Sequence, residues 1–172
     1  MKIKLLEIAG IVSSLQAMRL PKGGQPHSFM ATTENANSAT MFIDEGDVKL
    51  ATKLVKAGDE HAKAMRGIIV WLEITAPIYW WREMETYRAG RERLSCESTM
   101  HMDCNGLTGD ALVKAKAEMP MGKEQKAIDY FSYQALRRIY KQRKNHRLPQ
   151  WQQFCKWIET LPMAAELITV DL

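Results

Sequence analysis

The chain has 172 residues, a net charge of +4 and a pI of about 9.0; 46% of its residues are hydrophobic and 26% charged. This balance fits one globular domain spanning 1–172 with a single core, and it excludes a disordered chain. The positive excess is mild. It suits an anionic small ligand and is too even for a nucleic-acid binder. The most apolar run, GIIVWLEITAPIYWW, carries Glu73 and Pro77 and is too short to span a bilayer.

Residues 2 to 8 predict a strand, with Ile3 and Leu5 on one face and Lys2 and Lys4 on the other. The opening MKIKLLEIAGIVSS is short and carries Glu7, so it does not read as a signal peptide. Residues 20 to 46 predict a long loop, with Pro21, Gly23-Gly24, Pro26 and the polar run ENANSAT. Asp47 stands where a cap would open a helix bearing Leu50, Leu54 and Val55 and ending near Gly58. Residues 68 to 75 predict a central strand, because both alternating sets, Ile68-Val70-Leu72-Ile74 and Ile69-Trp71-Glu73-Thr75, are largely apolar. Thr75-Ala76-Pro77 predicts a helix start, and the helix should run to about Arg88, carrying Trp80, Met84 and Arg88 on one face. Tyr133, Leu136, Ile139 and Tyr140 mark another helix. Pro149 opens the last, with Trp151, Phe154, Cys155 and Ile158 on its apolar stripe, and LITVDL predicts a final strand. The apolar faces around Trp80, Trp81 and Trp151 offer more surface than one small core buries and point to self-association. The class is α+β in one domain, a mostly antiparallel sheet packed with helices.

Cys96, Cys104 and Cys155 are odd in number and lack CxxC spacing, which predicts free thiols in a reducing cytoplasm. His27, His61, His101 and His146 show no metal spacing, so no metal is expected. There is no P-loop or dinucleotide glycine fingerprint, and no nucleophile elbow around Ser95 or Ser98. The informative residue is Arg143. It falls four residues after Ile139 and seven after Leu136, on their apolar face, whereas Arg137 lies off it. An arginine on a buried face needs an anionic partner or a backbone acceptor, and its guanidinium is expected in a pocket between helix and sheet. The competing reading is that RRIYKQRKNHR is a solvated basic helix, and periodicity does not separate the two. Its six lysines and arginines spread around the helix and make no nucleic-acid stripe.

These features, in this order, resemble the flavin-dependent thymidylate synthase family. The likeness runs from about Asp47 to Leu161. DVKLATKLVKAGDEH resembles the helix that leads to the family's Gly-His turn, with His61 at the histidine. VWLEITAPIYWWREMETYR resembles its strand, Ala-Pro turn and helix ending in an Arg-His-Arg signature; SCESTMH resembles the end of that signature, seven residues and then Ser. AKAEMP resembles an Ala-Arg-x-x-Leu-Pro motif with Lys116 in place of arginine, and SYQALRRIYKQRKNHRLPQWQQF resembles the stretch whose arginine precedes an Ala-Gln-aromatic helix start. Two registers remain open. In one, Thr86-Tyr87-Arg88 occupies Arg-His-Arg; in the other, Arg88-Ala89-Gly90 does. Both keep Arg88 and Ser98. In the first, Glu83 replaces a nucleotide-facing glutamine and Met100 an arginine.

The resemblance implies a cytoplasmic flavoprotein of nucleotide biosynthesis, a homotetramer with FAD between subunits and dUMP beside the flavin. Its reaction would be a methyltransferase step, reductive methylation of dUMP to dTMP or a related pyrimidine-nucleotide modification, with NADPH and methylene-tetrahydrofolate as co-substrates. By that resemblance Ser98 and Arg143 are the catalytic residues. Glu83, Glu97, Ser98, Thr99, Lys116 and Arg143 bind substrate, and Thr86, Tyr87, Arg88, Ser132 and Gln134 bind the cofactor. The alternative is a non-catalytic nucleotide-binding protein on the same fold that has lost flavin binding or turnover. Neither reading involves a membrane or nucleic acid.

Overall fold

The computed structural model describes residues 1–32 and 39–171. Strand β1 (Lys2–Ala9) leads to helix α1 (Ile11–Arg19), a 3-10 turn (Leu20–Lys22), strands β2 (Phe29–Thr32) and β3 (Ala39–Phe42), and helix α2 (Glu45–Ala57). A second 3-10 turn (Lys63–Gly67) enters strand β4 (Ile69–Pro77), followed by helix α3 (Ile78–Met84), strand β5 (Arg91–Cys96) and helices α4 (Thr99–Met102) and α5 (Gly109–Ala117). Strand β6 (Glu124–Ser132) runs into helix α6 (Tyr133–Arg143), then helix α7 (Pro149–Ile158) and a π-helical turn (Ala164–Ile168).

The main sheet has the order β1-β4-β6-β5 with every neighbour antiparallel, and β2 pairs with β3 in a separate hairpin. The sheet is two-faced. Val70, Leu72 and Ile74 of β4 are fully buried, level with Phe131, Asp129 and Ala127 of β6, and join the core with Leu15, Val55, Trp80, Leu136, Ile139 and Phe154 from the helices. On the opposite face Trp71, Glu73 and Thr75 are only half-buried, level with Tyr130, Ile128 and Lys126. Both outer strands carry a bulge, β1 between Leu5 and Glu7 and β5 between Arg93 and Ser95.

The expected central strand, the helix marked by Tyr133, Leu136, Ile139 and Tyr140, and the Pro149 helix stand as read. Several other expectations do not. The opening strand, by contrast, stands as β1; the chain turns after it at Gly10, whose φ is +85° and where a Cβ would sit 1.9 Å from Gly67 O, and α1 follows. The 20–46 stretch holds the β2–β3 hairpin, with part of ENANSAT (positions 34–38) outside the described residues. Helix α2 is capped by Asp44, whose Oδ1 accepts from Asp47 N at 3.1 Å. Asp47 itself is buried in the first turn, where Arg19 Nε (2.6 Å), Ser28 N and Oγ (2.7 Å each) and His27 N (3.1 Å) converge on its carboxylate. Burial pushes that carboxyl up, but the bonds from Ser28, Arg19 and His27 outweigh it and hold its pKa at about 2.

Thr75 does not cap α3. Pro77 does, and the first helical donors, Ile78 N and Tyr79 N, bond Lys123 O (2.9 Å) and Met121 O (3.0 Å) instead. The helix stops at Met84, so Arg88 is not carried on its face and is exposed. Trp80, Trp81 and Trp151 are not surface: they are at most 2% exposed, and Trp80 packs against both others with ring centroids 4.9 Å apart. Among the described residues of LITVDL, 167–171, there is no strand. The chain is instead tied to α6, since Arg137 Nη1 donates to Ile168 O and Val170 O, each at 2.9 Å. β5 and β6 were not expected at all. Among the described residues no helix is long and apolar enough to cross a membrane.

Candidate functional site

Three groups of side chains hold the sequence-derived candidates. The first lies where α3, α6 and α7 meet. Helix α6 ends at Arg143 and α3 supplies Glu83 from its last turn. Arg143 Nη1 donates to Glu83 Oε2 at 3.0 Å and its Nε donates to Tyr87 Oη at 2.7 Å. Trp151 Nε1 donates to the same Glu83 oxygen at 2.8 Å, and His146 Nε2 lies 3.8 Å from it. The guanidinium carbon sits 4.5 Å from the Trp151 ring centre and 5.5 Å from that of Tyr87. Tyr87 completes the group by donating to Gln142 Oε1 at 2.9 Å. Arg143 is thus held among three helices, not between helix and sheet, because α7 folds back and brings Trp151 against it. Its side chain is 17% exposed and Glu83 is 35% exposed, so the pair is reachable from solvent. The anionic partner that an arginine on an apolar face requires is intramolecular.

The second group follows β5. Ser98 caps the short helix α4, accepting from His101 N at 3.3 Å, and lies 2.9 Å from His101 Nδ1. Lys116 reaches back from α5 to donate to Thr99 Oγ1. Glu97 accepts from Lys126 N at 2.9 Å, which fixes it to the start of β6. Glu97, Ser98, Thr99 and Lys116 therefore come together, apart from the Arg143 group.

The third group lines a cleft of about 520 Å³ where the end of β6 meets the start of α6. Ser132 and Gln134 are in its wall, with Tyr130, Gly90, Arg66 and Arg138. Arg66 Nε donates to Gln134 Oε1 at 2.6 Å, and Arg138 Nη2 donates to Ala89 O. Arg138 Nε is buried and has no partner. A buried guanidinium N–H without an acceptor is costly, and an anionic ligand would satisfy it. Gly90 permits this wall: its φ is +79°, and a Cβ there would come within 2.5 Å of Ser132 Oγ. Thr86 and Arg88 are both exposed, on the segment that joins the first group to this cleft; Thr86 Oγ1 donates to Glu83 O at 2.8 Å.

Sequence reasoning missed Arg66, Tyr130 and Arg138. Arg138 carried a signal, one helical turn after Gln134. Arg66 carried none, since its bond to Gln134 spans 68 positions. The three thiols are free; Cys96 is exposed, and burial and Glu159 push Cys155 up to about 12, which leaves it unreactive. Among the described residues no group of His, Cys, Asp and Glu could hold a metal ion.

The fold that presents these groups is that of the flavin-dependent thymidylate synthases. No protein-family sequence model matches the chain, and no curated protein matches it in sequence. Solved structures do. Flavin-dependent thymidylate synthase ThyX from Helicobacter pylori, complexed with FAD and dUMP, superposes with a TM-score of 0.74 at 12% identity over 98% of each chain. A second structure of ThyX from that organism, with FAD and dUMP, gives 0.73 at 12% identity over 98% of each chain. The UMP/dUMP methylase PolB from Streptomyces cacaoi, bound with 5-Br dUMP, gives 0.68 at 13% identity, covering 96% of this chain and 90% of that one.

Proposed function

We propose that the protein binds a pyrimidine nucleotide beside FAD and methylates it reductively, dUMP to dTMP or a close relative of that reaction, as a cytoplasmic homotetramer. The observation that carries this reading is the unpartnered, buried Arg138 Nε in a cleft on a fold shared end to end with FAD- and dUMP-bound proteins. The residues present fit the cofactor. Arg138 and Arg66 offer charge-assisted donors to its phosphates, Ser132 and Gln134 supply further polar contacts along the same wall, and Arg88 is exposed on the segment that leads into it. When bound, the flavin supplies the hydride, drawn from NADPH, and methylene-tetrahydrofolate supplies the carbon. The chain's own work is binding and orientation. Arg143 offers a fork of donors to uracil or phosphate oxygens, with Trp151 and Tyr87 holding its plane. Ser98, Thr99 and Lys116, which lie apart from Arg143 in one chain, offer hydroxyl and ammonium donors to the nucleotide from a second subunit of the homotetramer, and Glu97 fixes their loop.

A second reading rests on Glu83. Its carboxylate already occupies Arg143, which suits a protein that keeps a nucleotide pocket without turnover. The visible absorbance of the purified protein, with release of the C5 hydrogen of dUMP in the presence of NADPH and methylene-tetrahydrofolate, separates the two. A flavin spectrum that Arg138→Ala weakens at least tenfold in FAD titration supports the enzyme. A colourless protein that binds dUMP supports the second reading, and one that takes up no FAD at millimolar concentration sinks the first.

A further inference from the structure

We infer that His146 is a positioning residue for Glu83: when an anion takes Arg143, the imidazole gains a proton and receives the Glu83 carboxylate, so nucleotide binding is coupled to proton uptake. The inference rests on the proposed nucleotide site at Arg143 and adds the residue that regulates it. Glu83 Oε2 is the shared atom. It accepts from Arg143 Nη1 at 3.0 Å and from Trp151 Nε1 at 2.8 Å, and His146 Nε2 stands 3.8 Å away. The neutral ring's tautomer is fixed from its other side. Leu148 N donates to His146 Nδ1 at 3.2 Å, so Nδ1 carries the lone pair and Nε2 carries the hydrogen, toward Glu83. A second proton enters at Nδ1. It removes the acceptor that Leu148 N uses and sets a cation against that N–H. The charged ring is therefore released from the start of α7 and closes on Glu83, while Trp151 Nε1 still holds the carboxylate as a fixed point.

The charges around the ring decide when this happens. Glu83 faces it from α3, and Arg143 of α6 shares the same oxygen. Tyr87 Oη accepts from Arg143 Nε at 2.7 Å; Trp151 of α7 lies edge-on, 6.3 Å between ring centres; Gln152 of α7 donates to His146 O at 2.9 Å. Lys144 and Arg147 flank His146 in the connection between α6 and α7. Without an anion, Arg143 balances Glu83, and a further cation beside it is opposed. A phosphate on Arg143 offsets the guanidinium, repels Glu83 and leaves that carboxylate to the imidazole. The side chain of His146 is 23% exposed, so it exchanges protons with solvent. Histidine changes charge between about pH 5 and 8, where this exchange falls. The sign follows from linkage: the complex holds the proton more tightly than the free protein, so affinity for the anion rises as pH falls through that range.

The probe is dUMP, titrated calorimetrically into the full chain at about pH 7 in two buffers of different ionisation enthalpy. Wild type should take up protons on binding. His146→Gln keeps an N–H toward Glu83 but does not titrate, and the phosphate ionises alike in both proteins. As pH falls from about 8 to about 5, wild-type affinity should gain roughly threefold to tenfold over His146→Gln, the scale of one like charge offset about 6 Å from the phosphate. In Glu83→Gln that gain and the proton uptake should vanish although His146 is intact, a result that a merely structural histidine would not give. Proton uptake that persists in Glu83→Gln, or a wild-type profile matching His146→Gln, overturns the inference and leaves the nucleotide site standing. A wild type that binds no dUMP at any pH overturns the proposed site and this inference with it.

Discussion

Glu83 decides how much of Arg143 a nucleotide can use, and Glu83→Gln tests it. The substitution keeps the volume and leaves an amide oxygen to accept from Trp151 Nε1, now 2.8 Å from the carboxylate. It removes the negative charge 3.0 Å from Arg143 Nη1. A phosphate bound to the far edge of the guanidinium would lie roughly 6 Å from that carboxylate. Like charges at this separation repel by about 0.7 kcal/mol at the dielectric of water and about 2.8 kcal/mol at an effective value near 20. With Glu83 35% exposed the site falls between these limits, at about 1.4 kcal/mol, or about tenfold in affinity. The lost ion pair is partly solvated and should cost about 1 kcal/mol of stability or less. Calorimetric titration of dUMP should therefore show tighter binding to a slightly less stable protein. Unchanged or weaker binding, with the fold intact by circular dichroism, refutes the reasoning and leaves Glu83–Arg143 as a structural pair.

Arg143→Lys should weaken dUMP binding by about 1.5–3 kcal/mol in the same titration, since an ammonium cannot copy the fork held against Trp151. Arg137→Ala should lower the free energy of unfolding by about 1–3 kcal/mol in urea, because Ile168 O and Val170 O lose their donor, while dUMP binding stays unchanged. The pKa of Asp47 is depressed from 3.8 to about 2, so its stabilisation is complete above pH 4 and disappears as pH falls through about 2. Asp47→Asn should remove about 2 kcal/mol of acid-sensitive stability from unfolding curves measured over that window.

Legibility followed how far each residue's partner lay along the chain. Helix α7 was readable because its proline and its buried stripe, Trp151 to Ile158, are local facts. β4 was readable because Val70, Leu72 and Ile74 alternate without interruption. β6 was not, because its core face carries Asp129 between Ala127 and Phe131. An acid at that position breaks the apolar pattern unless its partners are known, and they come from β5: Arg91 Nε donates to Asp129 Oδ2 at 2.6 Å and Arg93 Nε to Oδ1 at 3.2 Å. The same exchange hid β5, whose inward positions are those two arginines. At the site, Arg143 was flagged by periodicity, but that its anion is Glu83, 60 positions away, was not. The cleft formed by Arg66, Gly90 and Arg138 draws on three separate segments, and only the fold joins them.

The bulged outer strands set how this sheet can meet its own kind. β1 and β5 each lose ladder register midway, and they carry Lys2, Lys4 and Glu7 on one border and Arg91, Glu92 and Arg93 on the other. A fibril grows by adding strands to a straight, regularly spaced row of free amides and carbonyls, and neither border offers one. Lateral growth of the sheet is therefore blocked at both sides. In a crowded cell, encounters between sheet borders that would otherwise propagate without limit fail there.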